Sequence, residues 1–140
     1  MRKKLIFACC LLIMPCVVYA EDTTTTQTCA NGAGLVLPST ISGHEYCMSN
    51  NTMNWWNAVA WCDALGRRLF SMDDCGCDWN KNCNGICPET KGVVHTDVFG
   101  KWIWTATPKR STGAYNSSLG GGTLDNWPDR SFNGYRAFCY

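Results

Sequence analysis

Charge and histidine are both scarce in this chain. Asp, Glu, Lys and Arg make up 16% of its 140 residues, and His44 and His95 are its only histidines. It therefore carries no basic stripe of the kind that tracks nucleic acid. Neither histidine stands in a nucleophile or metal motif, and the adjacent carboxylates Asp73 and Asp74 do not make a catalytic pair, because such pairs come from separate elements. No internal repeat is present. Past the first twenty residues, no apolar run approaches the length of about 20 residues that spans a bilayer.

What is present begins with a secretory signature. Arg2, Lys3 and Lys4 precede an apolar run from Leu5 to Val18, and Ala20 offers a small residue at the cut, so residues 1–20 read as a signal peptide. Its removal leaves nine basic residues against eleven acidic ones, a net charge near −2. It also leaves eight of the eleven cysteines, Cys29, Cys47, Cys62, Cys75, Cys77, Cys83, Cys87 and Cys139. An even number in an exported chain reads as four disulfides in an oxidising compartment: secreted, periplasmic or at a cell surface. Residues 21–28 form a threonine-rich tether, and residues 29–140 a single domain.

Along that domain, Leu35–Leu37 and Ile41–Met48 read as short strands, with Cys29 and Cys47 bracketing the pair. Trp55, Ala58, Val59, Cys62 and Leu65 recur at spacings of three and four, which predicts a helix capped by Asn54 and closed by Gly66. From Asp73 to Lys91 the composition turns to cysteine, glycine, asparagine and aspartate, with little to bury except Trp79 and Ile86. That stretch reads as a long loop tied to itself rather than a layer of the fold. Strand-like runs follow at Trp102–Thr107, Ala114–Leu119 and Gly134–Tyr140, with Thr123 and Leu124 a short fourth. The sum is α+β: a small antiparallel sheet, one or two helices and a disulfide-stapled loop.

Trp55, Ala58, Cys62, Gly66 and Leu69 stand at the spacing W-x-x-A-x-x-x-C-x-x-x-G-x-x-L, which resembles the first helix of C-type-lectin-like domains. The run Arg136-Ala137-Phe138-Cys139-Tyr140 is similar to their last strand. With Trp102-Ile103-Trp104 and Ala114-Tyr115-Asn116 between, the pattern resembles the bacterial branch of that superfamily, the adhesin tips and collagen-like adhesin C-terminal domains. The resemblance covers Cys29 to Tyr140. It implies a bridge from Cys62 to Cys139 and another from Cys29 to Cys47. Within the loop, nested pairing of Cys75 with Cys87 and Cys77 with Cys83 is the expectation, with the other arrangements left open by the sequence. The resemblance further implies a lectin or adhesin role, binding of a glycan or of an extracellular or surface protein, and no enzymatic activity.

The calcium-dependent sugar site of that superfamily needs a Glu-Pro-Asn or Gln-Pro-Asp loop and a Trp-Asn-Asp triplet, because a hard cation gathers several oxygen ligands. Neither is intact. Trp127-Pro128-Asp129 puts proline where the asparagine oxygen should be, and Pro88-Glu89 lacks the preceding acid or amide. The alternation Asp78, Asn80, Asn82, Asn84 with Glu89 at the twelfth place makes an imperfect calcium loop, and such residues more often form turns. The four loop cysteines lack zinc-knuckle spacing. No cofactor or metal is therefore expected, and calcium-dependent sugar binding is the rival. A structural envelope domain without a specific ligand is the alternative from another class. Seven tryptophans are more than one small core readily buries. Trp79 and Trp127, in irregular segments, are the candidates for exposure. With Asp125, Asn126, Asp129, Arg130 and Tyr115 they compose the expected binding face.

Overall fold

The computed structural model describes residues 27–78, 82–125 and 129–140. Among them run seven strands, β1 (Thr28–Cys29), β2 (Gly34–Pro38), β3 (Glu45–Met53), β4 (Trp102–Lys109), β5 (Gly113–Ser118), β6 (Leu124–Asp125) and β7 (Tyr135–Cys139). Two helices, α1 (Trp55–Ala64) and α2 (Pro88–Lys91), accompany them. The strands form one sheet in the order β1-β2-β3-β7-β4-β5-β6. Neighbours pair antiparallel except β4 with β7, which run parallel, so the small sheet is mixed rather than purely antiparallel. The predicted signal peptide lies outside the described residues. The last residues of the predicted tether join the sheet, since Thr28 pairs with Leu35 and the Gln27 carbonyl accepts from the Val36 N–H at 2.9 Å.

Period-two alternation puts two different layers on the sheet. Tyr46, Met48, Ile103 and Phe138 face one cluster, while Cys47, Trp104, Ala137 and Cys139 face the other. The second cluster is covered by α1, whose Ala58 and Cys62 are fully buried; Trp55, Val59 and Trp61 of the helix, and Leu65 just after it, pack beside them. Asn54 caps that helix by accepting the Asn57 N–H at 2.9 Å. Gly66, at φ +67°, takes the left-handed conformation that ends it.

Between Met48 and Thr52 the β3–β7 register slips. The carbonyls this frees on Ser49 and Asn50 both accept from Arg136 Nη1, and the Ser49 hydroxyl accepts the Ala137 N–H at 3.0 Å. The bulge is thus a satisfied feature rather than a defect.

The loop from Asp73 onward corrects the expectation drawn from composition. Its described residues are irregular apart from α2 and the 3-10 turn Met72–Cys75, yet they form the layer over the sheet's other face. Cys75, Cys83, Cys87, Val93 and Val98 are buried there against Tyr46, Ile103, Leu119 and Phe138. Oxidised cysteine is itself an apolar side chain, so a segment with few aliphatic residues still supplies a core. Ile86, expected to be buried, is 37% exposed, and Trp79 lies outside the described residues.

Four bridges hold these layers: Cys29–Cys47, Cys62–Cys139, Cys75–Cys87 and Cys77–Cys83. The first two are the pairs that the resemblance implied, and the last two are the nested arrangement expected within the loop, where the sequence left others open. A polar clamp adds to them. Glu89 of α2 is buried, and its Oε1 accepts from the Tyr46 hydroxyl at 2.7 Å and from the Ser42 hydroxyl. Burial and the neighbouring Glu89 carboxyl push the Tyr46 phenol far above its ordinary pKa. Thr90 and Ser117, also buried, share a hydroxyl contact at 2.7 Å. These bonds lock α2 between the β2–β3 turn and β5.

Candidate functional site

A row of aromatic rings runs out from beneath α1 along the same face of the sheet. Trp102 and Trp104, two residues apart on β4, point to one side, as does Tyr135 of β7. The Tyr135 ring lies 4.9 Å from that of Trp104, 6.0 Å from Trp102 and 5.1 Å from Phe132. Trp104 is the buried root of the row, its indole N–H held by the Met53 carbonyl at 2.7 Å. Tyr135 and Trp102 are half-buried, and Phe132 is 45% exposed. The row therefore grades from core to solvent.

The segment 129–132 lies across the N-terminus of α1 beside this row. Asp129 bridges to Gly113 of β5, the Arg130 carbonyl accepts the Trp55 N–H at 3.0 Å, and Arg130 Nε donates to the Gly113 carbonyl at 3.1 Å. The guanidinium of Arg130 sits 4.6 Å over the Trp55 ring, a cation–π contact that holds the side chain in place. Trp55 in turn donates its indole N–H to the Thr105 carbonyl at 2.8 Å. Its neighbour Trp56 packs edge-on against it and is 52% exposed.

Polar groups rim the rings. Asp125, exposed on β6 opposite Asn116, comes near enough to Tyr135 that its charge, after burial, helps raise that phenol's pKa. Asp129 is exposed. The Ser131 N–H, donating to its Oδ1 at 2.8 Å, holds its carboxyl below the ordinary range.

Of the residues expected at the binding face, the structure thus brings Asp125, Asp129 and Arg130 to this end of the sheet. Tyr115 goes elsewhere: it packs half-buried against the opposite cluster, with the Lys109 ammonium 5.4 Å over its ring. The alternation along β5 explains this, because Ala114 and Tyr115 cannot share a face. Trp79, Asn126 and Trp127 lie outside the described residues. The sequence reading missed Phe132, Tyr135, Trp102 and Trp56. The spacing of Trp102 and Trp104 on one strand was the available signal for a shared face.

Among the described residues, no group of three His, Cys, Asp or Glu side chains converges as a metal site would require. The four loop sulfurs are joined in pairs. Glu89, the twelfth residue counted from Asp78, has its carboxyl turned to Tyr46 and Ser42. No helix among the described residues is long and apolar enough to cross a membrane. No protein-family model matches the chain, and neither a curated protein nor a solved structure matches it.

Proposed function

We propose that this chain is an exported, non-enzymatic recognition module of the C-type-lectin-like kind, and that it binds a neutral glycan through the aromatic face at the N-terminal end of α1. The observation that carries the reading is the row Trp102, Tyr135 and Phe132, exposed at its outer end, with Asp125 close to Tyr135 and Asp129 in the turn that leads into Phe132. Flat ring faces supply contact to the C–H faces of a sugar, and carboxylates accept from its hydroxyls. Two carboxylates against the single guanidinium of Arg130 leave this end of the sheet net negative, which disfavours an acidic sugar. Four disulfides support export to an oxidising compartment. The tie from the one long helix to the last strand, Cys62–Cys139, supports the lectin-like reading of the fold.

A glycan array probed with the purified domain tests this. A reproducible neutral-sugar hit is expected, unchanged by a calcium chelator and weakened about fivefold by Phe132→Ala, the worth of one stacking contact of about 1 kcal/mol. Absence of any hit, or a hit indifferent to Phe132→Ala and Tyr135→Ala, refutes the proposal and favours a structural domain.

A further inference from the structure

A groove on the α1 side of the molecule has largely aliphatic walls and a carboxylate rim, the chemistry that suits a cation on an aliphatic stem. Trp55, Val59 and Asp63 stand four residues apart on α1 and so form one stripe along it. The chain leaving the helix returns alongside as Leu69 and Asp73, and with Ala106 of β4 these residues line an open groove of about 500 Å³. Trp55, Val59, Leu69 and Ala106 make its walls apolar.

The charge in the groove is unbalanced. Arg68, the one cation among the residues that line it, is already paired: its two terminal nitrogens meet the Asp74 carboxylate at 2.6 Å, and the group lies 4.4 Å over the Tyr140 ring. Asp74 also accepts the Ser71 N–H at 2.7 Å and the Ser71 hydroxyl at 2.9 Å, so its oxygens are committed. Asp63 and Asp73 remain, both exposed and neither in an ion pair among the described residues. The groove is therefore an apolar slot with two unneutralised carboxylates on its rim.

We propose that this groove docks a lysine-bearing peptide segment of a partner protein. Lysine combines a four-carbon stem, which buries well on Val59, Leu69 and Trp55, with a compact ammonium that Asp63 and Asp73 attract. The volume suits several residues of an extended peptide rather than one side chain, and the carboxylates turn away acidic segments. This docking is independent of the glycan reading, which uses Trp102, Tyr135 and Phe132, none of which lines the groove.

Fluorescence anisotropy with the labelled peptide acetyl-Ala-Lys-Leu-Lys-Ala-amide tests it on the disulfide-intact chain. Binding should be saturable, should weaken at least tenfold when both lysines of the peptide become glutamine, and should fall about fivefold in each of Asp63→Asn and Asp73→Asn. It should also weaken as salt screens the carboxylates, and should survive Phe132→Ala unchanged. Both aspartates are exposed, so the variants should melt with the wild type. No binding, equal binding of the glutamine peptide, indifference to both Asn variants, or loss in Phe132→Ala would each overturn the proposal.

Discussion

Replacing Cys62 and Cys139 together by alanine should cost this fold about twice what the same replacement costs at Cys77 and Cys83. The first bridge joins residues 77 apart in sequence and the second residues 6 apart. A cross-link stabilises chiefly by denying the unfolded chain its freedom, and that freedom grows with the logarithm of the loop. The loop-entropy relation then gives about 4.5 kcal/mol for the long bridge and about 2 kcal/mol for the short one. Against a total stability of about 5 to 15 kcal/mol, the first loss removes from about a third to nearly all of it and lowers Tm by roughly 15 to 20 °C. The assay is guanidinium denaturation without reductant, followed by tryptophan fluorescence, with the other three bridges intact. The m-value should rise more in the Cys62/Cys139 variant, whose unfolded state expands further. Equal losses in the two variants, or the reverse order, would show that local packing around the sulfurs, and not chain entropy, sets their worth.

Two further outcomes follow from the polar contacts. Glu89→Ala strips the buried Tyr46 and Ser42 hydroxyls of their acceptor and should cost about 3 kcal/mol in urea titration, with Glu89→Gln costing distinctly less. Burial alone would raise the Asp74 carboxyl, but the Arg68 guanidinium and the Ser71 donors outweigh it and hold the group below its ordinary value. That contribution is complete above the unfolded-state pKa of about 4 and is lost as pH falls through the folded-state value. Asp74→Asn should therefore lower stability at pH 7 by about 1 kcal/mol, since Arg68 is half exposed to solvent, and should flatten the acid limb of the stability curve below about pH 4.

Wherever periodicity governs burial, the fold was legible. The helix stripe at Trp55, Ala58, Val59, Cys62 and Leu65 packs as one face, and the runs around residues 35, 46, 104, 116 and 137 are strands. The packing of residues 73–100 was not legible, because its buried residues follow no period. Cys75, Cys83, Cys87, Val93 and Val98 reach the core through turns, and nothing local marks them as facing the sheet. The binding face was legible in part. Aspartates and an arginine near residue 127 announced a polar rim, but the exposure of Phe132 and Trp56 depends on what distant segments leave uncovered. Tyr115 shows the converse: chemistry pointed to it, and strand parity sent it to the other side.

The place of β7 in the sheet has a consequence for biogenesis. It lies between β3 and β4, so those two strands share no backbone ladder and are joined into one sheet only by a strand translated after both. As the polypeptide emerges, two half-sheets must wait with raw edges facing each other, and Cys62 must stay reduced until its partner has crossed into the oxidising space. A truncation before residue 135 would thus yield two unzipped, sticky halves, and premature oxidation of Cys62 would divert the chain into scrambled isomers. This domain should depend on a disulfide shuffling catalyst for its yield far more than on any help with its short helix.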